Sequence, residues 1–523
     1  MKYFTSLVEQ SINRARESTL GVLGITNPNL RKYLQQQMSK ECGAPDSFLA
    51  DPVLEHTFGW EQAREHTLNS LIDTGLLSSP LVNSLDQQKV KSVDGKEIKN
   101  RYRFASHFSP YTHQLISWQT LLAEQPKSVI VTSGTGSGKT ECFMVPVLED
   151  LYREFNQSNA KLVGVRAIFL YPLNALINSQ RERLNAWTQA FGSNIRYCLY
   201  NGNTPEKMRK VRDKQKERPN EILSRELMRE EPAPILVTNG TMLEYMLVRN
   251  IDYPIIEASR KQKSLRWIVL DEAHSYVGSQ AAELSMQLRR VVQAFGVESK
   301  DVRFVATSAT IADENANQQL KTYLANLANV SEEQIVVIDG TRAVPSLPSL
   351  TSKKYSLKQL VAVDSGLEVS KERFQMLCES PIAREIRHKF VSNKQRAIKL
   401  SALRQHLKEC FPSESFSTSE MLEWIDLLTG TKAEENQEAF LKVRAHFFQS
   451  MLNGLWSCID PKCKEKVGTT LEDNWPFGVV YTRQRSRCNC GAPVCEVGLC
   501  DDCNSPHLLA IEKNGKILAQ RDI

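Results

Sequence analysis

A glycine-rich stretch from Ser133 to Thr140 restricts the fold of this 523-residue chain more than any other feature. It reads Ser-Gly-Thr-Gly-Ser-Gly-Lys-Thr and follows an apolar run, Ser128–Thr132, that predicts a buried strand. The residues after the stretch are apolar at helical spacing. A strand, a glycine-rich turn and a helix in this order are typical of a phosphate-binding loop. The sequence therefore predicts a nucleotide site at this turn.

The residues of this loop have chemically distinct predicted roles. The glycines allow a tight turn that presents backbone N–H groups to phosphate oxygens. Lys139 is predicted to contact the β- and γ-phosphates, and the Thr140 hydroxyl is predicted to bind Mg²⁺. Ser133 stands where the general motif has glycine. The candidate residues of the loop are Ser133, Gly134, Thr135, Gly136, Ser137, Gly138, Lys139 and Thr140.

Two further polar groups directly follow apolar strands. The run Leu265–Leu270 ends in Asp271-Glu272, and the run Val302–Ala306 ends in Thr-Ser-Ala-Thr. A strand that ends in Asp-Glu is typical of the acidic motif that accompanies a phosphate-binding loop. We therefore predict that Asp271 binds the magnesium ion and that Glu272 polarises the attacking water.

The order, spacing and strand context of these motifs resemble those of superfamily 2 DEAD/DEAH-box helicases. The resemblance covers residues 106–343 and implies an α/β fold, a RecA-like domain whose mostly parallel sheet has helices on both faces. It also implies ATP and Mg²⁺ as cofactors. Three segments, Thr132–Phe143, Tyr171–Leu176 and Asp271–Gly278, resemble more specifically the large bacterial DEAH helicases of the mitomycin-repair and Druantia anti-phage defence type.

The resemblance implies roles for four residues outside the phosphate-binding loop. Gln114 would read the adenine edge, because one amide offers both a donor and an acceptor. His274 would contact a partner domain and couple hydrolysis to movement. The hydroxyls of Ser308 and Thr310 would link the nucleotide site to the nucleic-acid site.

Two loops resemble the segments with which such helicases grip a nucleic-acid backbone. One contains Pro172 and Asn174, and the other contains Thr238 and Asn239. The charged stretch Lys207–Glu231 is either a phosphate-facing arm or, as is more usual for such runs, a solvated helix. The net charge of +6 is compatible with a nucleic-acid partner but does not establish one. DNA is expected from the resemblance alone, and RNA stays open.

The cysteines are concentrated in the C-terminal part of the sequence. Of 12 cysteines, seven lie between Cys458 and Cys503, and this clustering favours metal binding over disulfides. Two sets of four are possible, both of which contain the first pair, Cys458 and Cys463. The second pair is either Cys500 and Cys503 or Cys488 and Cys490. Because Cys488-Asn-Cys490 is tighter than the usual spacing, one of these two is a candidate spare residue. Four thiolates would form a closed, structural zinc site.

Shifts in composition and pattern predict four domains. They are a helical accessory domain (1–105), the RecA-like ATP-binding domain (106–343), a helical linker or accessory domain (344–456) and a Cys-rich module (457–523). Within the first, Trp60–Leu77 predicts an amphipathic helix and Asp94-Gly95 predicts a turn. The sequence has no apolar signal core and no run of about 18 apolar residues, so we expect a cytoplasmic protein without a membrane span.

No Gln-x-x-Gly-Arg-x-x-Arg segment follows Thr310. In the helicases that this chain resembles, arginines of a second RecA-like domain stabilise the transferring phosphate, and such arginines are worth about 10³–10⁵-fold in rate. We therefore expect the ATP-binding half of a DNA helicase or translocase, in DNA repair or phage defence. Its ATP hydrolysis should be weak unless a second chain supplies the other domain. The alternatives are a nucleotide-switched DNA-binding subunit and a truncated helicase.

Overall fold

The computed structural model divides the chain into two compact units. One is Gly59–Ala343, and the other combines Met1–Phe58 with Val344–Ile523. The structure describes residues 3–38, 41–43, 47, 49–134, 136–308, 316–349, 351–392, 397–449, 452–500, 502–503, 505–513 and 516–519.

Helices and strands occur in both units. The helices are α1 (Tyr3–Val22), α2 (Pro28–Met38), α3 (Leu68–Asp73), α4 (Ser79–Leu85), α5 (Thr112–Leu121), α6 (Lys139–Ser158), α7 (Asn174–Thr188), α8 (Arg212–Glu217), α9 (Arg225–Glu230), α10 (Gly240–Val248), α11 (Tyr253–Gln262), α12 (Ser279–Ala294), α13 (Ala316–Ala328), α14 (Leu357–Ala362), α15 (Lys371–Glu379), α16 (Pro381–Ser392), α17 (Leu400–Cys410) and α18 (Thr418–Thr429). The strands are β1 (Val53–His56), β2 (Lys89–Lys91), β3 (Glu97–Lys99), β4 (Ser128–Thr132), β5 (Ala167–Leu170), β6 (Tyr197–Leu199), β7 (Glu221–Ile222), β8 (Ile235–Thr238), β9 (Trp267–Leu270), β10 (Arg303–Ser308), β11 (Ile335–Asp339), β12 (Ala397–Lys399), β13 (Val443–His446), β14 (Trp456–Cys458), β15 (Val480–Tyr481), β16 (Val494–Leu499), β17 (Pro506–Lys513) and β18 (Lys516–Ala519).

The unit Gly59–Ala343 is built around an eight-stranded sheet in the order β11-β4-β10-β9-β5-β8-β6-β7. All of its strand pairs are parallel. The RecA-like fold that the sequence predicts is therefore confirmed. Strands β4, β10 and β9 are neighbours, so the residues that follow them lie side by side at the carboxyl edge of the sheet, where ligands bind in such folds.

Helices cover both faces of this sheet, and alternate residues of one strand point into opposite layers. Val129 and Val131 of β4 belong to the core that includes residues of α5, α6 and α7. Ile130, between them, belongs to the core that includes residues of α10 to α13. Because β4 is buried on both sides, its position at the start of the phosphate-binding loop is firmly fixed.

The beginning of this unit differs from the predicted domain boundary at residue 105. The chain joins the RecA-like unit already at Gly59. The segment that follows Gly59 forms hydrogen bonds with two later segments of the unit, one near Pro110 and one near Thr341. Glu61 N donates to the carbonyl of Thr341 and Ala63 N donates to the carbonyl of Pro110, each at 2.9 Å. Leucines of α3 and α4 are buried in the same core as β4.

The predicted helix Trp60–Leu77 is wrong over most of its length. Trp60 forms a β-bridge with Arg342, and only α3, capped by Thr67, is helical within this range. The predicted turn at Asp94-Gly95 is confirmed, since it connects the antiparallel strands β2 and β3. The charged stretch after Lys207 contains one turn of 3-10 helix, Met208–Lys210, and two short α-helices, α8 and α9.

The second unit contains two antiparallel sheets. Strand β1 lies between β12 and β13, and Leu54 pairs with Ile398 on one side and Ala445 on the other. This pairing explains why residues 1–58 belong with the later part of the chain and not with the residues up to 105. In the other sheet, in the order β15-β14-β16-β17-β18, two of the clustered cysteines, Cys458 and Cys495, lie on strands, and the other five lie between strands. Nowhere in the described part of the chain is a helix both long and apolar enough to span a bilayer.

Candidate functional site

The phosphate-binding loop connects β4 to α6 through two glycines in the left-handed conformation. Gly136 has φ +75° and Gly138, at the N-cap of α6, has φ +72°. The buried hydroxyls of Ser133 and Ser137 are 2.6 Å apart, and their hydrogen bond closes the turn. Thr135 lies outside the described residues. The backbone geometry fits the predicted cradle for phosphate oxygens at the start of a helix.

Two residues of α5 support this loop from behind. The His113 ring contacts the carbonyl of Ser137 through Nε2 at 2.8 Å, and burial lowers the pKa of His113. A neutral ring with the proton on Nε2 can donate this hydrogen bond. The Gln114 amide donates to the carbonyl of Gly138 at 3.2 Å and accepts from Tyr111 N at 2.9 Å. Gln114 is buried, and these two hydrogen bonds occupy both ends of its amide. Adenine recognition by Gln114 therefore stays a prediction.

An aromatic ring and a guanidinium group also lie next to the loop. The Arg342 guanidinium is 3.6 Å from the centre of the Trp60 ring, and Trp60 packs edge-on against His113 at 5.7 Å. A Cβ added to Gly340 would lie only 2.7 Å from Trp60, and one added to Gly134 would lie 3.3 Å from Arg342. This packing fixes the loop, and sequence reasoning did not identify Trp60 or Arg342 because they belong to no recognisable motif.

The acidic residues after β9 lie beside the loop, as predicted. The Thr307 hydroxyl donates to the Asp271 carboxylate and accepts from Glu272 N at 3.0 Å. Lys139 Nζ lies 3.4 Å from the carbonyl oxygen of Ser308. The structure therefore brings together the ends of β4, β9 and β10, and it adds Thr307, whose hydroxyl the sequence analysis did not select. Thr310 lies outside the described residues.

Burial and charge shift the acidity of Asp271. Loss of hydration, together with the neighbouring Glu272 charge, raises the pKa of Asp271 above its ordinary value. The Thr307 hydrogen bond and the Lys139 charge act in the opposite direction. A divalent cation bound at Asp271 would favour the ionised carboxylate and offset the cost of its burial.

Glu272 has a left-handed backbone, with φ +54°. This conformation costs about 1–2 kcal/mol for a residue with a side chain. The Glu272 carboxylate lies 3.3 Å from His274 Nδ1. Strained backbone of this kind is concentrated at functional sites, and here it sets the direction of the carboxylate predicted to polarise water.

The candidate nucleic-acid residues fall into two groups. Asn239 donates to the side chain of Asn174 at 2.8 Å, which joins the starts of α10 and α7 at the surface, close to the partly exposed Pro172. Thr238 differs from the prediction, because its side chain is fully buried and its hydroxyl donates to the carbonyl of Tyr200 at 2.7 Å. A phosphate contact by that hydroxyl would require it to leave the core.

One of the two predicted cysteine sets is brought together in the structure. The Sγ atoms of Cys458 and Cys490 are 3.6 Å apart, and those of Cys463 and Cys488 are 3.5 Å apart. All four sulfur atoms lie within 4.8 Å of one another. Two sulfurs bound tetrahedrally to one zinc ion are about 3.8 Å apart, so the four thiols fit a closed zinc site.

Cys488 and Cys490 both belong to this group of four, and which of them binds metal stays a prediction. The turn that contains them is closed by a hydrogen bond from Cys488 N to the carbonyl of Ala492, at 2.9 Å, and includes Gly491 in the left-handed conformation. Cys500 and Cys503 stand apart, in the hairpin between β16 and β17.

Comparison with known families and proteins agrees with this geometry. Residues 111–318 match the DEAD/DEAH box helicase family, and residues 480–523 match the YjiV N-terminal domain. The Druantia protein DruE of Escherichia coli is 25% identical over 505 aligned residues, which cover 73% of this chain and 27% of DruE. The uncharacterized ATP-dependent helicase YprA of Bacillus subtilis is 29% identical over 207 residues, which cover 39% of this chain and 23% of YprA.

Among solved structures, the DUF1998 helicase MrfA bound to DNA and AMPPNP matches with a TM-score of 0.37 and 18% identity, over 72% of this chain and 43% of that one. The chain spans about a quarter of the length of the two curated relatives. The family match covers the phosphate-binding loop, the acidic motif and the strands that carry them. Residues 111–318 of this chain therefore form a domain of the DEAD/DEAH box helicase family.

Proposed function

We propose that this chain is the ATP-binding part of an ATP-dependent DNA helicase or translocase. The observation that carries the proposal is the meeting of Lys139, Asp271 and Glu272 at the ends of adjacent parallel strands, with Thr307 bonded to the two acidic residues. The match of residues 111–318 to the helicase family supports the same class of activity.

Residues at the carboxyl edge of the eight-stranded sheet would each perform a different part of phosphoryl transfer. Backbone N–H groups of the loop and the Lys139 ammonium would bind the phosphates, while Thr140 and Asp271 would hold Mg²⁺. The magnesium ion, when bound, neutralises charge on the transferring phosphate. Glu272 would orient and deprotonate water. His274, whose Nδ1 lies 3.3 Å from the Glu272 carboxylate, would contact a partner domain and couple hydrolysis to movement. Gln114 would read adenine after exchanging its hydrogen bond to the loop.

Efficient turnover would need residues from outside the Gly59–Ala343 unit. The sequence has no Gln-x-x-Gly-Arg-x-x-Arg segment after Thr310, and arginine fingers contribute about 10³–10⁵-fold to the rate. We propose that a second RecA-like domain supplies these arginines, whether from a separate chain or from a longer form of this protein. Similarity to DruE supports a role in phage defence, and a role in DNA repair is the competing proposal.

The four cysteines Cys458, Cys463, Cys488 and Cys490 are proposed to hold a structural zinc ion. Three of the four are buried and all can converge on one point, so no position is left for a reactive water. Asn174, Asn239 and Pro172 are proposed to contact the DNA backbone.

ATP hydrolysis by the purified chain, with and without single-stranded DNA or RNA, tests the proposal. We expect slow hydrolysis that DNA stimulates and that both Lys139→Ala and Glu272→Gln abolish. DNA binding that depends on ATP without turnover would favour the nucleotide-switched subunit instead. Stimulation by RNA alone, or activity that survives both substitutions, would contradict the proposed assignment.

A further inference from the structure

We propose a second metal site, on the surface between α16 and α17, for a divalent transition-metal ion such as Zn²⁺. Its ligands are Glu385, His406 and Cys410, with His388 as the fourth. One donor atom from each of the first three residues lies within 4.8 Å of the other two. The site belongs to the second unit and shares no residue with the four-cysteine cluster or with the nucleotide site.

The distances are those of ligands around a single ion. Cys410 Sγ and His406 Nε2 are 3.6 Å apart, whereas a tetrahedral zinc ion holds a sulfur and a nitrogen about 3.5 Å apart. Glu385 Oε1 is 2.7 Å from the same nitrogen and would move outward by about 0.7 Å to reach a tetrahedral position. His388 Nδ1 lies 4.0 Å from Glu385 Oε1, on the exposed side of the cluster.

The sequence spacing places these side chains in pairs on facing helices. His406 and Cys410 are four residues apart on α17, and Glu385 and His388 are three apart on α16. Residues at these spacings lie on one face of a helix. Buried apolar residues of both helices belong to one core, which holds the pairs opposite each other without help from the polar groups.

A metal ion explains a contact that hydrogen bonding leaves incomplete. His406 Nε2 is approached by both the Glu385 carboxylate and the Cys410 sulfur. One ring nitrogen either carries a proton that it donates or has a lone pair that accepts, so it satisfies only one of these neighbours through a proton. An ion bonded to all three atoms satisfies them together. The same geometry argues against a nucleophilic triad, in which the carboxylate would bind the other ring nitrogen.

The donor set indicates the chemistry of the ion. Imidazole, thiolate and carboxylate ligands together suit Zn²⁺ and Co²⁺ and do not suit Mg²⁺ or Ca²⁺, which prefer oxygen ligands alone. Cys410 is exposed, and His388 is 70% exposed, so the ion would exchange with solution more readily than one enclosed by four cysteines. When bound, it would link α16 to α17.

The test is titration of Co²⁺ into the full chain that carries a single equivalent of Zn²⁺, which occupies the enclosed four-cysteine cluster and leaves the more exposed site open. Binding is followed by the visible ligand-field bands and the sulfur-to-cobalt charge-transfer band. We expect one further equivalent of Co²⁺ to bind with a single-thiolate spectrum. Cys410→Ser should remove the charge-transfer band. Glu385→Gln and His406→Gln should each weaken binding at least about tenfold, since even residues that only support a ligand cost that much.

Glu409→Gln is the matched control, because Glu409 is an exposed carboxylate beside Cys410 that the cluster does not include. It should bind Co²⁺ as the unchanged chain does. Circular dichroism of each variant would establish that the helices are retained. Absence of a further Co²⁺ equivalent in the unchanged chain would overturn the proposal, and so would a charge-transfer band that persists in Cys410→Ser.

Discussion

Glu272 combines a strained backbone with the position expected of the group that activates water. Replacing it by Gln keeps the shape and the αL backbone but removes the base. We expect ATP turnover to fall about 10²–10⁴-fold while nucleotide binding is retained. Steady-state hydrolysis and titration with a fluorescent nucleotide measure the two quantities separately. Glu283→Gln, an exposed position on α12, should change neither. Loss of nucleotide binding in Glu272→Gln would contradict the role as a base.

His113 makes a second residue-scale prediction, which concerns pH. Burial lowers the pKa of His113 in the folded state, so protons favour the unfolded state. The stability that His113 contributes is complete above its unfolded pKa and is lost as the pH falls through its folded pKa. This loss cannot exceed about 1.4 kcal/mol per pH unit for one group.

The test compares the unchanged chain with His113→Gln, whose amide nitrogen can replace Nε2–H as a donor to Ser137. The readout is the midpoint of the thermal transition that Mg·ADP raises, because that transition reports the nucleotide-binding unit. Between about pH 7.5 and about pH 5.5 the unchanged chain should lose more stability than His113→Gln. Equal losses in both proteins would show that His113 does not titrate in this way.

Among single residues, the sequence predicted those with a chemical role better than those that pack around the site and hold it in place. Lys139, Asp271 and Glu272 were predictable because each lies at a fixed distance after a strand that can be recognised in the sequence as an apolar run. Thr238 was misjudged, since a hydroxyl at a strand end can face either the solvent or the core, and here it bonds to Tyr200. Trp60 was missed because its contacts with Arg342 and His113 join distant segments, which no local pattern records.

The phosphate-binding loop gives a prediction at the scale of an element. Gly136 and Gly138 both have positive φ, but a Cβ would meet open space at Gly136 and would collide with the Gln114 amide at Gly138. Gly136→Ala should therefore cost about 1–2 kcal/mol of folding free energy from backbone strain, and Gly138→Ala should cost more. Thermal and urea denaturation measure the difference in folding free energy between the two variants. Adding Gln114→Ala to the Gly138→Ala variant should reduce the extra cost, because it removes the side chain with which the new Cβ collides. Equal costs for the two single substitutions would contradict the packing of Gln114 on the loop.

Elements were predictable where burial leaves a continuous apolar run. Strands β4 and β9 are buried throughout, and their sequences could be recognised directly. The segment after Trp60 has apolar residues at helical spacing, yet pairing with Arg342 and Tyr111 holds its beginning in extended form. The pairing of β1 with β12 and β13 was not predictable, because short strands that are distant in sequence carry no mark of their partners.

At the scale of the whole molecule, the proposed zinc ion should stabilise the second unit without affecting nucleotide binding. Cys490→Ser should lower the zinc content by one ion per chain and lower the thermal midpoint of the transition that nucleotide does not shift. Cys503→Ser should do neither, because Cys503 lies outside the cluster. Metal analysis by atomic emission and calorimetry provide the readouts. Zinc loss in Cys503→Ser without zinc loss in Cys490→Ser would contradict this assignment and favour the other cysteine set.

Binding of Mg·ATP to the purified chain is the measurement that tests the central claim most directly. Isothermal titration with a non-hydrolysable ATP analogue should show one site per chain. Lys139→Ala should weaken it about 10- to 150-fold, the loss expected for about 1.5–3 kcal/mol of charged hydrogen bonding. Lys127→Ala, just before the opposite end of β4, should bind as the unchanged chain does. No binding by the unchanged chain, or equal binding by Lys139→Ala, would contradict the assignment of this loop as the nucleotide site.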